Sequence, residues 1–327
     1  MKLGSVSLTA LTEELRGRAE LAMKRDVQLP ARVFGGALES AWFPTKEPIL
    51  NGDDAAALPD ADGYSLFAAE GIRPELVASD PWFAGFCSVM VNLSDIAAMG
   101  GRPWAVVDVL FLGSGENNRV LEGMLAASSL FGVPVVGGHT ARVTGPSLLA
   151  VAVLGRAKRL ISSHAAKPGQ KLIMAVDLRG SFRGPGAFNA ATTASAQQLR
   201  ASLALLPELS EAGLVGAGKD ISMAGTCGSL AMLLETSGVG AVLDIESIPA
   251  PAEVDALRWL TAFPSFGYLL SVDEGAVASV CARFDALGIA SAAVGTITGE
   301  RSLQLRHGEQ RAIYLDLAAR PLTGFGG

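Results

Sequence analysis

Two adjacent carboxylates, Asp53 and Asp54, stand in the segment NGDDAAAL (residues 51–58), between a glycine and an apolar stretch. Carboxylates that enter an apolar segment are costly to desolvate unless a cation or several amide donors hold them. Asp also favours turns and helix N-caps, so a solvated turn is the alternative interpretation. The pair is therefore a candidate metal site that this segment alone does not distinguish from a turn.

A third carboxylate, Asp95, interrupts the otherwise apolar segment VNLSDIAAMGG (residues 91–101). Helical spacing places Asn92 and Asp95 on one face, three residues apart. A carboxylate on a mostly buried helix needs a partner, and Mg²⁺ prefers one or two carboxylates combined with phosphate oxygens. The segment predicts a metal–phosphate site, with a satisfied polar contact in the core as the alternative.

A glycine pair follows a short apolar stretch in VVGGHT (residues 135–140). We interpret residues 133–136 as a short buried strand that runs into a loop at Gly137, Gly138, His139 and Thr140. A strand that ends in two glycines exposes backbone N–H groups, which suit a phosphate group. An ordinary turn is the alternative, and a single histidine is more often structural than a ligand.

The segment GLVGAGKD (residues 213–220) nearly matches the phosphate-binding loop GxxxxGK[ST]. It fails at Asp220, which stands where a hydroxyl should meet Mg²⁺, and no apolar strand precedes it. We therefore exclude a P-loop. Lys219 and Asp220 are either a functional pair or a cap of the apolar helix that follows.

Hydrophobic periodicity predicts the elements that must position these residues. An N-terminal helix at 11–23 and a loop-rich segment at 32–59 come first. The other predicted helices are 81–100, 118–131, 187–206, 229–237, 249–262 and 276–287, and the strands are 64–69, 105–112, 148–154, 172–176, 241–245, 267–272 and 292–297. Both halves mix helices and strands, so each is an α/β or α+β layered domain, one at 1–160 and the other at 161–327.

Composition excludes several classes of protein. Of 327 residues, 50% are hydrophobic and 18% charged, which excludes intrinsic disorder. The net charge of −6 and the lack of a basic run argue against nucleic-acid or membrane-surface binding. Three scattered cysteines fit a reducing compartment, and the acidic N-terminus is unlike a signal peptide. We expect a cytoplasmic protein without a membrane span.

The order and spacing of the four motifs resemble one superfamily. NGDDAAAL, VNLSDIAAMGG, VVGGHT and GKDISMAG (218–225) are similar to motifs of aminoimidazole ribonucleotide (AIR) synthetase, thiamine-monophosphate kinase, selenophosphate synthetase and the hydrogenase maturation factor HypE. The chain most resembles the AIR synthase-related branch. That resemblance implies a two-domain PurM-like α/β fold and a homodimer in which N-terminal strands form an inter-subunit β-barrel. It also implies ATP in a cleft shared between subunits.

The same resemblance assigns roles to individual residues. It implies Mg²⁺ ligands at Asp53, Asp54 and Asp95, with Glu70 as a further ligand. It implies a catalytic role for Asp220, and Lys219 is a second catalytic candidate because it lies next to that motif residue. The resemblance implies nucleotide binding by Gly137, Gly138 and Thr140. Further candidates for nucleotide binding, which lie within or beside the motifs, are Asn92, His139 and Arg142.

The departures from the superfamily narrow the activity. His139 and Met223 stand where the kinase branch has acidic residues, and no cysteine precedes the GDD motif or ends the chain, as the selenophosphate and HypE activities require. The expected function is Mg²⁺-ATP-dependent transfer of the γ-phosphoryl group to an oxygen of a small metabolite, as a kinase or a ligase. The alternative is a catalytically degenerate homodimer that binds a nucleotide or metabolite.

Overall fold

The computed structural model describes residues 7–35, 37–38, 49–60, 62–113, 118–184 and 186–326. Residues 36 and 39–48 of the predicted loop-rich segment lie outside this part of the chain. The described residues form two compact units. The larger unit comprises the described parts of Met1–Asp53, Leu160–Thr193 and Leu209–Gly327, and the smaller unit those of Asp54–Arg159 and Ala194–Glu208.

The smaller unit is built on a five-stranded mixed sheet. Its strands lie in the order β3-β4-β7-β5-β6, and only the β5–β6 pair is parallel. The strands are β3 (Ala56–Asp60), β4 (Gly63–Ile72), β5 (Arg102–Leu112), β6 (Val135–Arg142) and β7 (Leu148–Ala157). The helices are α4 (Pro74–Ser79), α5 (Pro81–Ala98), α6 (Arg119–Phe131) and most of α7 (Ala196–Glu211).

Helix α5 confirms the predicted helix at 81–100 and forms the centre of the smaller unit. Asp80 caps it by accepting a hydrogen bond from the Phe83 amide at 3.2 Å, and Pro81 occupies its first turn, where a missing N–H costs nothing. The helix is buried nearly all round because it lies between the sheet and α6. At the crossing with α6, a Cβ atom on Gly85 would lie 2.0 Å from the Val120 carbonyl oxygen, so only glycine allows this approach.

The larger unit is built on a seven-stranded mixed sheet in the order β11-β14-β8-β15-β12-β16-β17. These strands are β8 (Lys171–Val176), β11 (Ala217–Asp220), β12 (Gly240–Asp244), β14 (Gly267–Val272), β15 (Ala290–Thr298), β16 (Ser302–His307) and β17 (Gln310–Asp316). Small sheets add β1 (Ala37–Leu38), β2 (Ile49–Leu50), β9 (Ser181–Arg183), β10 (Ala187–Asn189) and β13 (Phe263–Pro264). The helices are α1 (Leu8–Arg16), α2 (Ala19–Met23), α3 (Gln28–Phe34), α8 (Gly225–Ser237), α9 (Ala256–Leu260) and α10 (Val277–Asp285).

The two units are not separated at one point in the sequence, such as the domain boundary at residue 160 that we expected. The N-terminal helix packs within the larger unit, which otherwise consists mainly of the second half of the chain. Leu8, Leu11 and Leu15 on one side of α1 are nearly inaccessible to water, and they share a core cluster with Leu230 of α8 and Tyr314 of β17. Burial of an apolar side chain of this size contributes about 1.5–3 kcal/mol. The N-terminal helix therefore completes a core made mainly by the second half of the chain.

Three predicted helices are shorter in the structure, for local reasons. The N-terminal helix breaks after α1 at Gly17. The helix predicted at 187–206 begins only at residue 196, because Asn189 Oδ1 holds a turn by accepting from the amides of Ala191 and Thr192. The helix predicted at 249–262 is reduced to α9, whose N-cap is Asp255.

Among the described residues, no helix combines the length and the apolar character that a membrane span requires.

Candidate functional site

Asp54 and Asp95 are brought together in the smaller unit. Asp54 lies just before β3 and is half-buried, whereas Asp95 lies near the end of α5 with 6% of its surface exposed. A carboxylate oxygen of each lies within 4.8 Å of the other. Two carboxylates this close disfavour each other's charge unless a cation or a proton is shared between them. An oxygen-only donor pair is what hard cations such as Mg²⁺ prefer, so these residues fit the ion that the sequence implied.

Asn92 lies one helical turn before Asp95 and is fully buried. Its Nδ2 donates to the Ser88 carbonyl at 2.8 Å, whereas its Oδ1 accepts no hydrogen bond from any described residue. A buried acceptor without a donor costs about 1–3 kcal/mol. The amide oxygen of Asn92 is therefore a second polar group on this helix that a bound ligand could satisfy.

Asp53, although adjacent to Asp54 in the chain, makes its hydrogen bonds within the larger unit. Its Oδ2 accepts from the Ser162 hydroxyl at 2.5 Å, and its Oδ1 accepts from the Ser163 amide at 3.0 Å. These contacts fix the Asp53 side chain with protein donors. The two neighbouring acids thus have different surroundings, and metal binding by Asp53 stays a prediction.

Helix α5 packs on one face of the five-stranded sheet, which we call the inner face; the opposite side is the outer face. A Cβ atom on Gly155 of β7 would lie 2.5 Å from Ile96 Cγ2 of α5, which shows how closely the helix approaches. Val106 and Leu110 of β5 are buried on the inner face, whereas Val107 and Val109 are exposed on the outer face. Alternation along β5 thus separates the two surfaces.

The prediction of a loop at 137–140 is wrong, because these residues form the middle of β6, which is an edge strand. The prediction that residues 133–136 are buried is wrong for Val135 and Val136, which are exposed. Parallel pairing with β5 extends through the glycine pair and places Gly138 opposite Asp108 and Thr140 opposite Leu110. Paired residues on neighbouring strands share a face, so Gly138 and Thr140 belong to the inner face.

Gly137 and His139 belong to the outer face by the same alternation. The His139 ring lies edge-on to Phe111, with 6.1 Å between the ring centroids. The predicted set of nucleotide-binding residues is therefore divided between the two faces. Arg142, at the end of β6, is exposed and in register with Leu112.

Asp108 of β5 is a candidate residue that the sequence analysis missed. Its side chain is on the inner face, is 9% exposed, and its Oδ2 accepts no hydrogen bond from any described residue. Burial raises the pKa of the Asp108 carboxyl, and a hydrogen bond from its own backbone amide partly opposes that rise. A Cβ atom on Gly138 would lie 2.3 Å from Asp108 Oδ1, so the glycine provides the space for the carboxyl.

Glu70 lies in the same row as Asp108, where a row is a line of residues paired side by side across neighbouring strands. It is in register with Val151 of β7, which is in turn in register with Asp108. Neighbouring strands are about 4.8 Å apart, so Glu70 and Asp108 are separated by roughly 10 Å along this row. Glu70 is exposed. The inner face thus carries two carboxylates in one row that ends at Gly138.

Two family models match this chain: the N-terminal domain of AIR synthase related protein at residues 52–157 and its C-terminal domain at residues 173–308. An uncharacterized protein of Synechocystis sp. is 46% identical over 323 residues, which are 98% of this chain and 99% of that one. The chain belongs to the AIR synthase-related protein family.

Solved structures share the PurM-like fold of this AIR synthase-related protein. The structure described as Thermotoga maritima PurL complexed with ATP has a TM-score of 0.69 at 19% identity and covers 84% of this chain. This chain spans less than half, 46%, of that PurL chain. The structure described as AaThiL complexed with AMPPCP and TMP has a TM-score of 0.65 at 15% identity and covers 88% of this chain and 96% of that one.

In the larger unit of the AIR synthase-related protein, Lys219 and Asp220 end strand β11. They are not a helix cap, since α8 begins only at Gly225. Both side chains are buried, with Lys219 Nζ 3.5 Å from Asp220 Oδ1. Burial lowers the pKa of Lys219, and the charges of Asp220 and Asp53 partly oppose this. A buried lysine–aspartate pair suits either catalysis or core structure, so its catalytic role stays a prediction.

Proposed function

We propose that this AIR synthase-related protein is a Mg²⁺-ATP-dependent enzyme that transfers the γ-phosphoryl group to an oxygen of a small metabolite. The observation that carries the proposal is the approach of the Asp54 and Asp95 carboxylates to within 4.8 Å in the smaller unit. Phosphoryl transfer needs little covalent chemistry from the protein, because positioning and charge neutralisation supply most of the catalysis. A pair of acids that binds Mg²⁺ provides the charge neutralisation.

In this proposal Asp54 and Asp95 hold Mg²⁺, which when bound neutralises phosphate charge. The Asn92 amide oxygen, buried one turn earlier on α5, accepts a hydrogen bond from the hydrated ion or the ligand. Asp108 acts as a further acceptor on the inner face of the sheet. Asp53 and Glu70 stay predictions as additional ligands, and Asp220 and Lys219 as the groups that orient the substrate.

Strand β6 is the proposed nucleotide-binding element. An edge strand leaves alternate backbone N–H groups outside the sheet ladder, and such amides suit phosphate oxygens. Gly138 keeps the inner face open, and Thr140 and Arg142 add a hydroxyl and a cation along the same strand. Bound ATP in a PurL structure and bound AMPPCP in a ThiL structure of the same fold support a nucleotide ligand here.

A catalytically degenerate nucleotide-binding protein is the second candidate. The observation that favours it is the position of His139, which stands where the kinase branch has an acid and whose ring lies against Phe111 on the outer face. The chain therefore lacks one of the acids that the kinase branch carries. Binding without turnover is the property that distinguishes this candidate.

Calorimetric titration with AMPPCP tests the proposed function. We expect saturable binding in the presence of Mg²⁺ and much weaker binding with EDTA, together with a rise in the unfolding temperature that grows with ligand concentration. Asp108→Asn is expected to weaken the same binding. Absence of both heat and thermal shift would remove the proposal. Phosphate release from ATP across a metabolite panel then separates the enzyme from the degenerate binder.

We also propose a homodimer that forms through the outer face of the five-stranded sheet. This face exposes large apolar side chains on three neighbouring strands, among them Phe67, Trp104, Val109 and Leu154. Phe67 and Leu154 are in register on β4 and β7, so the exposed side chains are contiguous across these strands. Contiguous apolar patches on a folded surface commonly mark protein interfaces. A second copy of the same sheet offers a matching partner, as in a closed inter-subunit barrel.

Val109→Arg is expected to convert the protein from a dimer to a monomer in sedimentation at micromolar concentration. The substitution places a cation at the centre of the outer face, where a partner would have to desolvate it at a cost of several kcal/mol. Leu125→Arg is the matched control, because Leu125 is a more exposed apolar residue on α6 and away from the sheet. A wild-type monomer, or a dimer that survives Val109→Arg, contradicts the proposed interface.

A further inference from the structure

The larger unit contains a cleft that the proposed ATP chemistry does not use. It has a volume of about 470 Å³ and lies beside β17, the edge strand of the seven-stranded sheet. All its lining residues belong to the larger unit, whereas Asp54 and Asp95 belong to the smaller one. Ile313, Leu315 and Leu322 supply apolar wall, and three arginines supply charge.

The three arginines reach the cleft from different elements. Arg16 is the last residue of α1, Arg25 belongs to the 3₁₀ turn Lys24–Val27, and Arg320 follows β17. Arg16 Nε donates to the Tyr314 carbonyl at 2.8 Å, and its Nη2 donates to the Ile313 carbonyl. These bonds hold one guanidinium against the edge strand, so at least one of the three charges has a fixed position.

Arg25 is the member of this group whose hydrogen bonding is incomplete. Its Nε is buried from water and donates to no described residue. A buried donor without an acceptor destabilises the protein, and it does so more strongly when the group is charged. Neither Arg25 nor Arg16 nor Arg320 forms an ion pair with a carboxylate in the described part of the chain. Charge that the protein does not neutralise is available to an anion.

The charge balance of the cleft points to the class of anion. Asp316 is the one acid among the described lining residues, and its Oδ1 already accepts from the amides of Ala318 and Ala319. The lining residues therefore carry a net charge of +2. A phosphate monoester carries about −1.5 to −2 at pH 7, and guanidinium groups match phosphate oxygens in paired hydrogen bonds. The apolar wall favours an organic group attached to that phosphate.

We propose that this cleft binds a small organic phosphate at a site separate from the proposed nucleotide site. Arg25 and Arg320 bind the phosphate oxygens, and Arg16, held by the edge strand, contributes a fixed positive charge. The organic part of the ligand packs on the apolar side chains of β17 and Leu322. The inference does not depend on the proposed phosphoryl transfer, because none of the residues that line the cleft is assigned a role in that reaction.

Calorimetric titration with inorganic phosphate and with phenyl phosphate, in chloride buffer, tests the site. We expect saturable binding of both, with phenyl phosphate the tighter because of the apolar wall. Arg25→Gln and Arg320→Gln are each expected to weaken binding roughly tenfold or more, since each removes hydrogen bonds to a charged group. Arg311→Gln is the matched control: Arg311 is exposed on the same strand but does not line the cleft.

Two further measurements distinguish loss of the phosphate site from unfolding of a variant and from binding at the proposed nucleotide site. Unfolding temperatures without phosphate show whether each variant is folded. Arg320 is exposed, and its side chain forms no hydrogen bond or ion pair within the described part of the chain. Asp95→Asn, in the proposed nucleotide site, is expected to bind phosphate like the wild type. The inference is overturned if phosphate does not bind saturably, if both cleft variants bind it like the wild type, or if only Asp95→Asn abolishes binding.

Discussion

We expect Asp95→Asn to abolish most Mg²⁺-dependent nucleotide binding and to lower turnover roughly a hundredfold or more, because it removes one of two carboxylates that hold the ion. Asparagine has nearly the same shape as aspartate, so the packing of α5 is preserved. The measurements are calorimetric titration with AMPPCP at fixed Mg²⁺ and phosphate release from ATP.

The same substitution has an opposite effect on stability that provides an independent check. In the wild-type protein without Mg²⁺, the Asp54 and Asp95 carboxylates lie within 4.8 Å and repel each other when both are charged. Asp95→Asn removes this repulsion, so the metal-free variant is expected to unfold at a higher temperature than the metal-free wild type. Addition of Mg²⁺ is expected to raise the unfolding temperature of the wild type only.

Asp285→Asn, an exposed change at the end of α10, is the control for both experiments. It removes the same charge from the chain without touching the acidic pair. Equal Mg²⁺-dependent binding in Asp95→Asn and the control would falsify the role of Asp95. A metal-free variant less stable than the wild type would mean that the interactions Asp95 makes within the protein outweigh the repulsion that the substitution removes.

The second large effect is expected at Glu235, in the larger unit. Its carboxylate is fully buried in α8 and binds the C-terminal segment through four hydrogen bonds. Oε1 accepts from the amides of Leu322 and Gly324, and Oε2 accepts from the amide and hydroxyl of Thr323, at distances of 2.8–3.1 Å. All four partners are donors, so the site accepts a carboxylate and not an amide.

Glu235→Gln is expected to lower the free energy of unfolding by about 2–4 kcal/mol. Glutamine keeps the shape but turns an NH₂ group toward two of the four donors, so two buried donors lose their acceptor. Urea unfolding followed by circular dichroism measures the change. Thr323→Val, which removes the hydroxyl donor and a long hydrogen bond from the Phe325 amide, is expected to cost about 1 kcal/mol. Glu300→Gln, an exposed change, serves as control; a loss no greater than that of the control would contradict this role for Glu235.

The sequence predicts best where a signal is local. Helix α5 follows from a proline start, an apolar run and a terminal glycine pair, and the polar residues Asn92 and Asp95 on it were recognisable because they interrupt that run. Asp54 was recognisable only as half of an adjacent pair. That its partner is Asp95, while Asp53 binds Ser162 and Ser163, depends on contacts between distant segments that no local pattern contains.

Other features of the site could not be predicted, or were overlooked, for identifiable reasons. The glycines of β6 suggested a loop, but pairing with β5 extends the strand through them, an example of tertiary context overriding local preference. Asp108 did have a signal: in the alternating strand AVVDVLFL it shares a face with Val106 and Leu110, so an acid there is on the buried side. Glu235 had none, since its partners are 87–89 residues away.

The packing of α1 beside β17 has a consequence for synthesis on the ribosome. Leu8, Leu11 and Leu15 are translated about three hundred residues before the strand around Tyr314, whose core they cover. The apolar side of this helix must therefore stay unburied, or be shielded by a chaperone, while some three hundred residues are translated. Most of the smaller unit lies in the uninterrupted stretch Asp54–Arg159, so it can begin to fold long before the larger unit is complete.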